Sequence, residues 1–327
     1  MEDIVKENYY ELEDIARSVV RKYWNIEEHL ETVDTGVNKR TWRAGPYWLS
    51  CTYDYEVEAV SRELQLYSCL SERGQLPGAV AVPSVIKAQG ELFVQAHGRV
   101  WWLTAHVPGR QPEPTRIEDT LAVARGLAGL HCWLAPLSPE LAVSKESALT
   151  LFARGRLLAL EEQCLGFTEA DKEVLLQASR LIDEYLATHS QTAMQLIHGD
   201  PSHPNLRLSE RYPPRLIGAL DWASCRYDAP LADLATVGQT IVFRSRSRDP
   251  LADLTAMVAA YQQGGGVGFS LDALLVFMIL GKFESIAHHG TRFLRGEIAA
   301  DLVLSQSTKI HTILLLIQES QKRDRSS

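Results

Sequence analysis

Leu196-Ile197-His198-Gly199-Asp200-Pro201-Ser202-His203-Pro204-Asn205-Leu206 is the stretch on which the reading of this chain turns. A short apolar strand runs into a polar loop that carries a carboxylate at position 200 and an amide at position 205. Leu216-Ile217-Gly218-Ala219-Leu220-Asp221-Trp222 then repeats the theme, an apolar strand closing on an aspartate. Each group alone is ordinary loop chemistry. Together they are the set that phosphoryl transfer from ATP needs. One carboxylate orients an acceptor hydroxyl and takes its proton, while an amide and a second carboxylate hold magnesium against the phosphates.

Outward from this cluster the chain changes character. Residues 9–22 carry Tyr9, Leu12, Ala16, Val19 and Val20 at helical spacing. Residues 30–33, 40–44 and 47–53 are rich in β-branched and aromatic side chains and are punctuated by turn formers such as Gly45-Pro46, which predicts antiparallel strands. A helix over 56–73, capped by Gly74, follows, and then strands over 84–87, 92–95 and 100–105. Pro108, Gly109, Pro112 and Pro114 read as a linker. Beyond it helices are predicted over 117–134, 147–165, 169–189, 231–243, 251–262, 271–294 and 299–318. The strands 195–197, 206–208 and 216–220 interrupt them. Gly264-Gly265-Gly266 reads as a flexible joint and 322–327 as a frayed tail.

Composition sets limits on function. The chain has 327 residues, 46% of them hydrophobic and 23% charged, enough apolar surface for about two folded domains. The longest fully apolar run, 273–280, is far short of the roughly 20 residues that cross a bilayer, so no membrane partner is expected. A net charge of −8 offers no footprint for nucleic acid. Five scattered cysteines without a Cys-x-x-Cys pair read as reduced thiols, and the acidic N-terminus lacks a signal peptide's apolar core. A cytoplasmic location is the expectation. His288-His289 has no acidic partner at metal-ligand spacing and is read as non-functional.

Three segments, His198-Gly199-Asp200 with Asn205, Leu220-Asp221-Trp222, and Tyr227-Asp228-Ala229-Pro230-Leu231-Ala232-Asp233-Leu234-Ala235, resemble the aminoglycoside phosphotransferase and choline kinase family. The Asp-x-x-x-x-Asn spacing also equals that of the protein-kinase catalytic loop. Leu127-Ala128-Gly129-Leu130-His131, Val107-Pro108-Gly109, and Arg62-Glu63 with Val82-Pro83 extend the likeness over residues 30 to 295. The resemblance implies an α+β class and a bilobal protein-kinase-like fold. A small antiparallel-sheet lobe (1–106) would bind nucleotide, and a larger, mostly helical lobe (107–327) would carry the catalytic loop and substrate site. It implies an ATP-dependent phosphotransferase that moves the γ-phosphate to a hydroxyl of a small metabolite or antibiotic. Asp200 would be the base, and Asn205 and Asp221 the ligands of Mg2+. His198 and Asp233 would support the loop by hydrogen bonds. Gly36 and Asn38 would cover the nucleotide, although Gly36 also reads as a plain hairpin glycine. Glu63 would sit beside the phosphates, although with Glu56 and Glu58 it also reads as part of a solvated face. Thr104, Ala105 and His106 would form the hinge that bonds adenine.

One element of the family pattern is missing. The family's third strand supplies a Lys or Arg to pair with the helix Glu, but here it reads Tyr47-Trp48-Leu49-Ser50-Cys51-Thr52-Tyr53, and no Lys or Arg lies between Arg43 and Arg62. Three readings stay open. Lys39, Arg40 or Arg43 reaches in; magnesium and backbone amides suffice; or the protein is a degenerate kinase serving as a binding or regulatory module. A peptide Ser/Thr kinase of natural-product modification is a further alternative. Its motive is Arg244, Arg246 and Arg248, which read as a solvated loop or as an anion- or peptide-contacting edge. Residues 1–105 hold 16 acidic and 11 basic residues, and the remainder 25 and 22. A receptor for a polycationic antibiotic would be more acidic than that second part.

Overall fold

The computed structural model describes residues 9–33, 39–53, 56–73, 80–189 and 193–326. Gly36, Asn38 and Gly74 lie outside them. By internal contacts the chain forms two compact units, the first from residues 1–75, 81–108 and 218–223, the second from 76–80, 109–217 and 224–327.

The first unit is built on alternating strands. β1 (Leu30–Val33), β2 (Arg40–Ala44), β3 (Tyr47–Tyr53), β4 (Val94–Ala96) and β5 (Arg99–Ala105) form one antiparallel sheet in the order β1-β2-β3-β5-β4. β2 and β3 pair with Thr41 opposite Ser50 and Trp42 opposite Leu49. That register sends Trp42, Leu49, Trp101 and Leu103 into one core with Ala16, Val19 and Val20 of α1 (Tyr9–Trp24). The Trp42 and Trp101 rings stack at 5.8 Å. Each such buried side chain contributes about 1.5–3 kcal/mol. Residues 84–87, predicted as a strand, form an isolated bridge from Val85 to Thr104, with Ile86 N–H donating to Leu103 O and Ala105 N–H to Ser84 O, both at 2.8 Å. Pro83 lacks the donor a full strand needs there. α2 (Val57–Glu72) completes the unit.

The second unit is helical: α3 (Ile117–Leu134), α4 (Ala148–Glu161), α5 (Glu169–Thr188), α6 (Pro230–Phe243), α7 (Pro250–Gln263), α8 (Leu271–Leu294) and α9 (Asp301–Ser326). α8, almost continuously apolar from Ala273 to Leu280, packs against α4, α6 and α9. Two short ribbons interrupt the helices. β6 (Gln195–Ile197) pairs with β9 (Arg226–Asp228), and β7 (Leu206–Leu208) with β8 (Leu216–Ala219). β9 escapes sequence reading, being three residues with a charge at each end.

Three expectations are corrected. The Pro-rich stretch is stapled down rather than loose. Arg110 forks onto the buried Asp119 carboxylate at 2.5 and 2.7 Å and exchanges backbone bonds with Leu208. Gly264-Gly265-Gly266 is a packed helix end. A Cβ at Gly264 would meet Arg125 O at 2.2 Å, and one at Gly266 would meet the Tyr261 ring at 2.1 Å. The tail continues α9 to Ser326. Among the described residues no helix is long and apolar enough to cross a membrane, and the five cysteines are free thiols.

Candidate active site

In the first unit, chain segments far apart in sequence bring one cation to two carboxylates. Lys39, one residue ahead of β2, places its Nζ 2.9 Å from Glu63 Oε2 on α2 and 2.8 Å from Asp221 Oδ1. The Glu63 residue is 2% exposed, so the reading of it as a solvated face is wrong. Its Oε1 also accepts the Tyr67 hydroxyl at 2.8 Å, one helical turn on. Burial works to discharge Lys39, but Glu63 and Asp221 outweigh it and hold its pKa above the ordinary lysine value. Burial, followed by the Glu63 charge, raises the Tyr67 hydroxyl well above its usual pKa. A cation is therefore present without a Lys or Arg on β3. Lys39 lies two residues before Thr41, hence on its side of the sheet, and Thr41 faces Ser50, with 3.3 Å between the hydroxyls. The charge has moved one strand sideways on the same face.

Asp221 is held in a left-handed backbone conformation with φ 54°. Few residues other than glycine adopt it, and Asp is among the most tolerant. The next residue, Trp222, is fully buried and donates from Nε1 to Ala219 O at 3.0 Å, while its N–H reaches the Tyr67 hydroxyl at 3.4 Å. This anchor leaves the Asp221 side chain 46% exposed.

At the end of β5, Ala105 N–H donates to Ser84 O and His106 N–H to Pro46 O, both at 2.8 Å. The His106 Nδ1 accepts from Trp48 Nε1 at 2.9 Å.

In the second unit the loop after β6 is organised by a buried carboxylate. Asp233, at the start of α6, accepts the N–H groups of His198 and Gly199, each at 2.8 Å, and pairs with His131 Nε2 at 3.0 Å. His131 in turn meets the Tyr261 hydroxyl at 2.7 Å. Burial alone would raise the Asp233 pKa; the His131 bond and charge and the Gly199 N–H hold it below the usual range. Gly199 has φ 85°, and a Cβ there would sit 1.9 Å from Ser224 O, so only glycine fits. His198 turns its Nδ1 onto Asp200 N–H at 3.3 Å. Asn205 ends the loop in a short 3-10 turn, and its Nδ2 donates to Asp200 Oδ2 at 2.9 Å and to Asp200 O at 3.1 Å.

The structure thus brings Asp200, Asn205, His198 and Asp233 together in one unit, and Glu63 with Asp221 in the other. Thr104, Ala105 and His106 end a strand of the first unit, while Gly36 and Asn38 lie outside the described residues. Lys39 entered the sequence reading only as one of three candidate cations. Tyr67, four residues from Glu63 on the same helix face, carried a signal that reading missed, as did Tyr261 beneath His131.

Each unit offers a side-chain oxygen of the hard type that magnesium takes. Asn205 spends its amide nitrogen on Asp200, which directs its Oδ1 elsewhere, and Asp221 is an exposed carboxylate. No cluster of three or more His, Cys, Asp or Glu side chains able to cage a metal occurs among the described residues. Magnesium accepts such sparse protein ligation, because it keeps waters and borrows phosphate oxygens.

The model of the phosphotransferase enzyme family matches residues 36–273, most of the chain. This chain belongs to the phosphotransferase enzyme family. Solved structures share its fold. A microcompartment-associated aminopropanol kinase superposes with a TM-score of 0.69 at 18% identity, over 95% of this phosphotransferase and 98% of the kinase. The GDP and kanamycin complex of an aminoglycoside 2''-phosphotransferase gives 0.67 at 14% identity, over 91% and 97%. The aminoglycoside 3''-phosphotransferase from Streptomyces rimosus, with ADP and streptomycin, gives 0.57 at 18% identity, over 82% and 98%. No curated protein sequence matches the chain. The phosphotransferase has the α+β, protein-kinase-like fold, with an antiparallel five-stranded sheet and a helical part.

Proposed function

We propose that this phosphotransferase moves the γ-phosphate of ATP to a hydroxyl of a small molecule, in the cytoplasm, with Asp200 as the base. The observation that carries the reading is the bridge from Lys39 to Glu63 and Asp221. A half-buried cation held between a buried carboxylate and an exposed one suits a phosphate-binding group. It also removes the motive for a degenerate binding module, which was the missing cation.

In this reading Glu63, positioned by Tyr67, orients the Lys39 ammonium toward the phosphates. The hinge bonds the base. With the Ala105 and His106 donors already used, the N–H of Val107, which makes no hydrogen bond among the described residues, is the first one open to adenine. Asp200, aligned by Asn205 and His198, accepts the proton of the acceptor hydroxyl as the new P–O bond forms. Asp233 and His131 keep that loop in shape without touching substrate. Asn205 and Asp221 would hold Mg2+, which when bound neutralises phosphate charge.

Transfer of label from γ-labelled ATP to a panel of small alcohols tests the proposal. Wild type transfers label to at least one acceptor. Asp200→Asn, which can still accept from Asn205, loses about 10²–10⁴-fold in turnover yet binds nucleotide normally. Undiminished turnover in Asp200→Asn would remove Asp200 from the chemistry.

A further inference from the structure

Among the described residues of the helical unit, some buried cations are paired with acids and others are not. Arg226 bonds Asp228 at 2.9 Å and Glu284 at 3.0 Å, and Arg110 bonds Asp119. Lys282, midway along α8, is only 6% exposed, yet no carboxylate lies within 4.0 Å of its ammonium among the described residues. Its Nζ lies over the Phe243 ring, 5.2 Å from the centroid, at the end of α6. A mostly buried lysine with no acid beside it carries a desolvation cost that a counter-ion would relieve.

The groups around it make the isolation worse. Burial first, then the charges of Lys309 on α9 and Arg244 just past α6, push the Lys282 pKa down to about 7. Lys309 is itself depressed by burial and by Arg244, and neither it nor Arg244 has an acidic partner among the described residues. His289 lies two turns along α8 on the face of Lys282. Burial, then a series of positive neighbours that includes Lys309 and Lys282, lowers its pKa to about 4, and its Nδ1 is buried without a hydrogen bond. Gln306, one turn before Lys309 on α9, buries an unbonded Oε1. Three helix segments, α6, α8 and α9, therefore bring together cations and two unbonded polar atoms, with no ion pair to an acid for Lys282, Lys309 or Arg244 among the described residues.

The cluster adjoins the loop of Asp200. Thr240 of α6 places its hydroxyl 3.4 Å from His203 Nδ1 within that loop, and its carbonyl accepts the Arg244 N–H at 2.9 Å.

We infer that Lys282, Lys309 and Arg244 form an anion subsite that takes the carboxylate or phosphate group of the acceptor. The inference rests on the phosphotransferase reading above and narrows it to small anionic alcohols rather than polycationic antibiotics. The missing acid comes with the substrate. Its charge compensates the three cations and sets its hydroxyl at a fixed reach from the anchored group. His288-His289, read from sequence as idle, then contributes His289 to the wall of this subsite. Arg244, Arg246 and Arg248 are all exposed, and Arg244 is the one that adjoins Phe243, over which the Lys282 ammonium lies.

Matched probes test this without nucleotide. Glycerate, glycerol 3-phosphate and glycerol share hydroxyls and differ in charge; inorganic phosphate carries charge with no hydroxyl on carbon. In thermal-shift titrations one of the two charged alcohols stabilises wild type at about 10 mM and glycerol does not. Lys282→Met and Lys309→Met each weaken that binding at least about tenfold, and magnesium-ATP binding stays within about twofold of wild type. In turnover assays the same variants raise KM for the charged acceptor more than they lower kcat. Equal response to glycerol and the charged alcohols, or unchanged binding in both variants, overturns the subsite. Binding of inorganic phosphate alone overturns its assignment to the acceptor. Because these titrations contain no ATP, they fail or succeed independently of Lys39 and Asp200.

Discussion

Lys39 places its ammonium 2.9 Å from the Glu63 carboxylate, from a position ahead of β2 and not from β3. The two residues stand on separate elements and meet on the sheet face that Thr41 and Ser50 share. A cation can thus serve the same carboxylate from a neighbouring strand, because cross-strand partners on one face lie within about 5 Å of each other.

A swap follows from that geometry. Lys39→Ala leaves buried Glu63 with only Tyr67, and thermal unfolding should show a loss of about 1–3 kcal/mol. Adding Ser50→Lys returns a cation to the same face. The double variant should recover part of the lost turnover, measured at saturating acceptor. No recovery would mean that the position of Lys39, and not its charge alone, is required.

The left-handed backbone at Asp221 shapes the choice of variant. Alanine at φ 54° is strained by about 1–2 kcal/mol, whereas asparagine tolerates it. Asp221→Asn should keep the melting temperature near wild type and remove the magnesium dependence of ATP binding. Calorimetry with and without magnesium checks this, and an unchanged magnesium effect would take the metal role away from Asp221.

Acid sensitivity should track Asp233. Its folded pKa lies below the unfolded value of about 3.9, so its contribution is complete at neutral pH and is lost as pH falls below about 4. Asp233→Asn should cost about 2–4 kcal/mol at pH 7, with the gap to wild type closing in acid. Urea unfolding across that range is the measurement, and a gap independent of pH would contradict it.

Lys282 has the opposite signature. A lysine with a folded pKa of about 7 against about 10.4 unfolded penalises the fold fully below pH 7, and the penalty fades as pH rises toward about 10.5. Without ligand, Lys282→Met should be more stable than wild type by roughly 2–4 kcal/mol at pH 7, and equal to it near pH 10.5. A variant less stable at neutral pH would show that Lys282 has a partner in solution.

Much of this architecture can be read from local patterns. β1, β2 and β3, and helices α3 and α8, keep their predicted bounds because alternation or helical periodicity is unbroken and turn residues flank them. The Asp200 loop stands out because its polar groups interrupt apolar strands. What escapes depends on pairing. The reach of Lys39 to Glu63 follows from the β2–β3 register and from α2, neither of which its local sequence encodes. The isolation of Lys282 depends on Arg244 and Lys309, which only the packing of α6 and α9 on α8 brings near. The Pro-rich stretch misled because Asp119, the carboxylate that ties it down, lies on the following helix.

Calorimetric titration of magnesium-ATP into wild type and Lys39→Ala tests the central claim most directly. Wild type should bind with a clear heat, and Lys39→Ala at least about tenfold more weakly, a difference of about 1.4 kcal/mol. Equal affinity for the two proteins, or no binding by wild type at millimolar nucleotide, would contradict the assignment of Lys39 as the phosphate-binding cation.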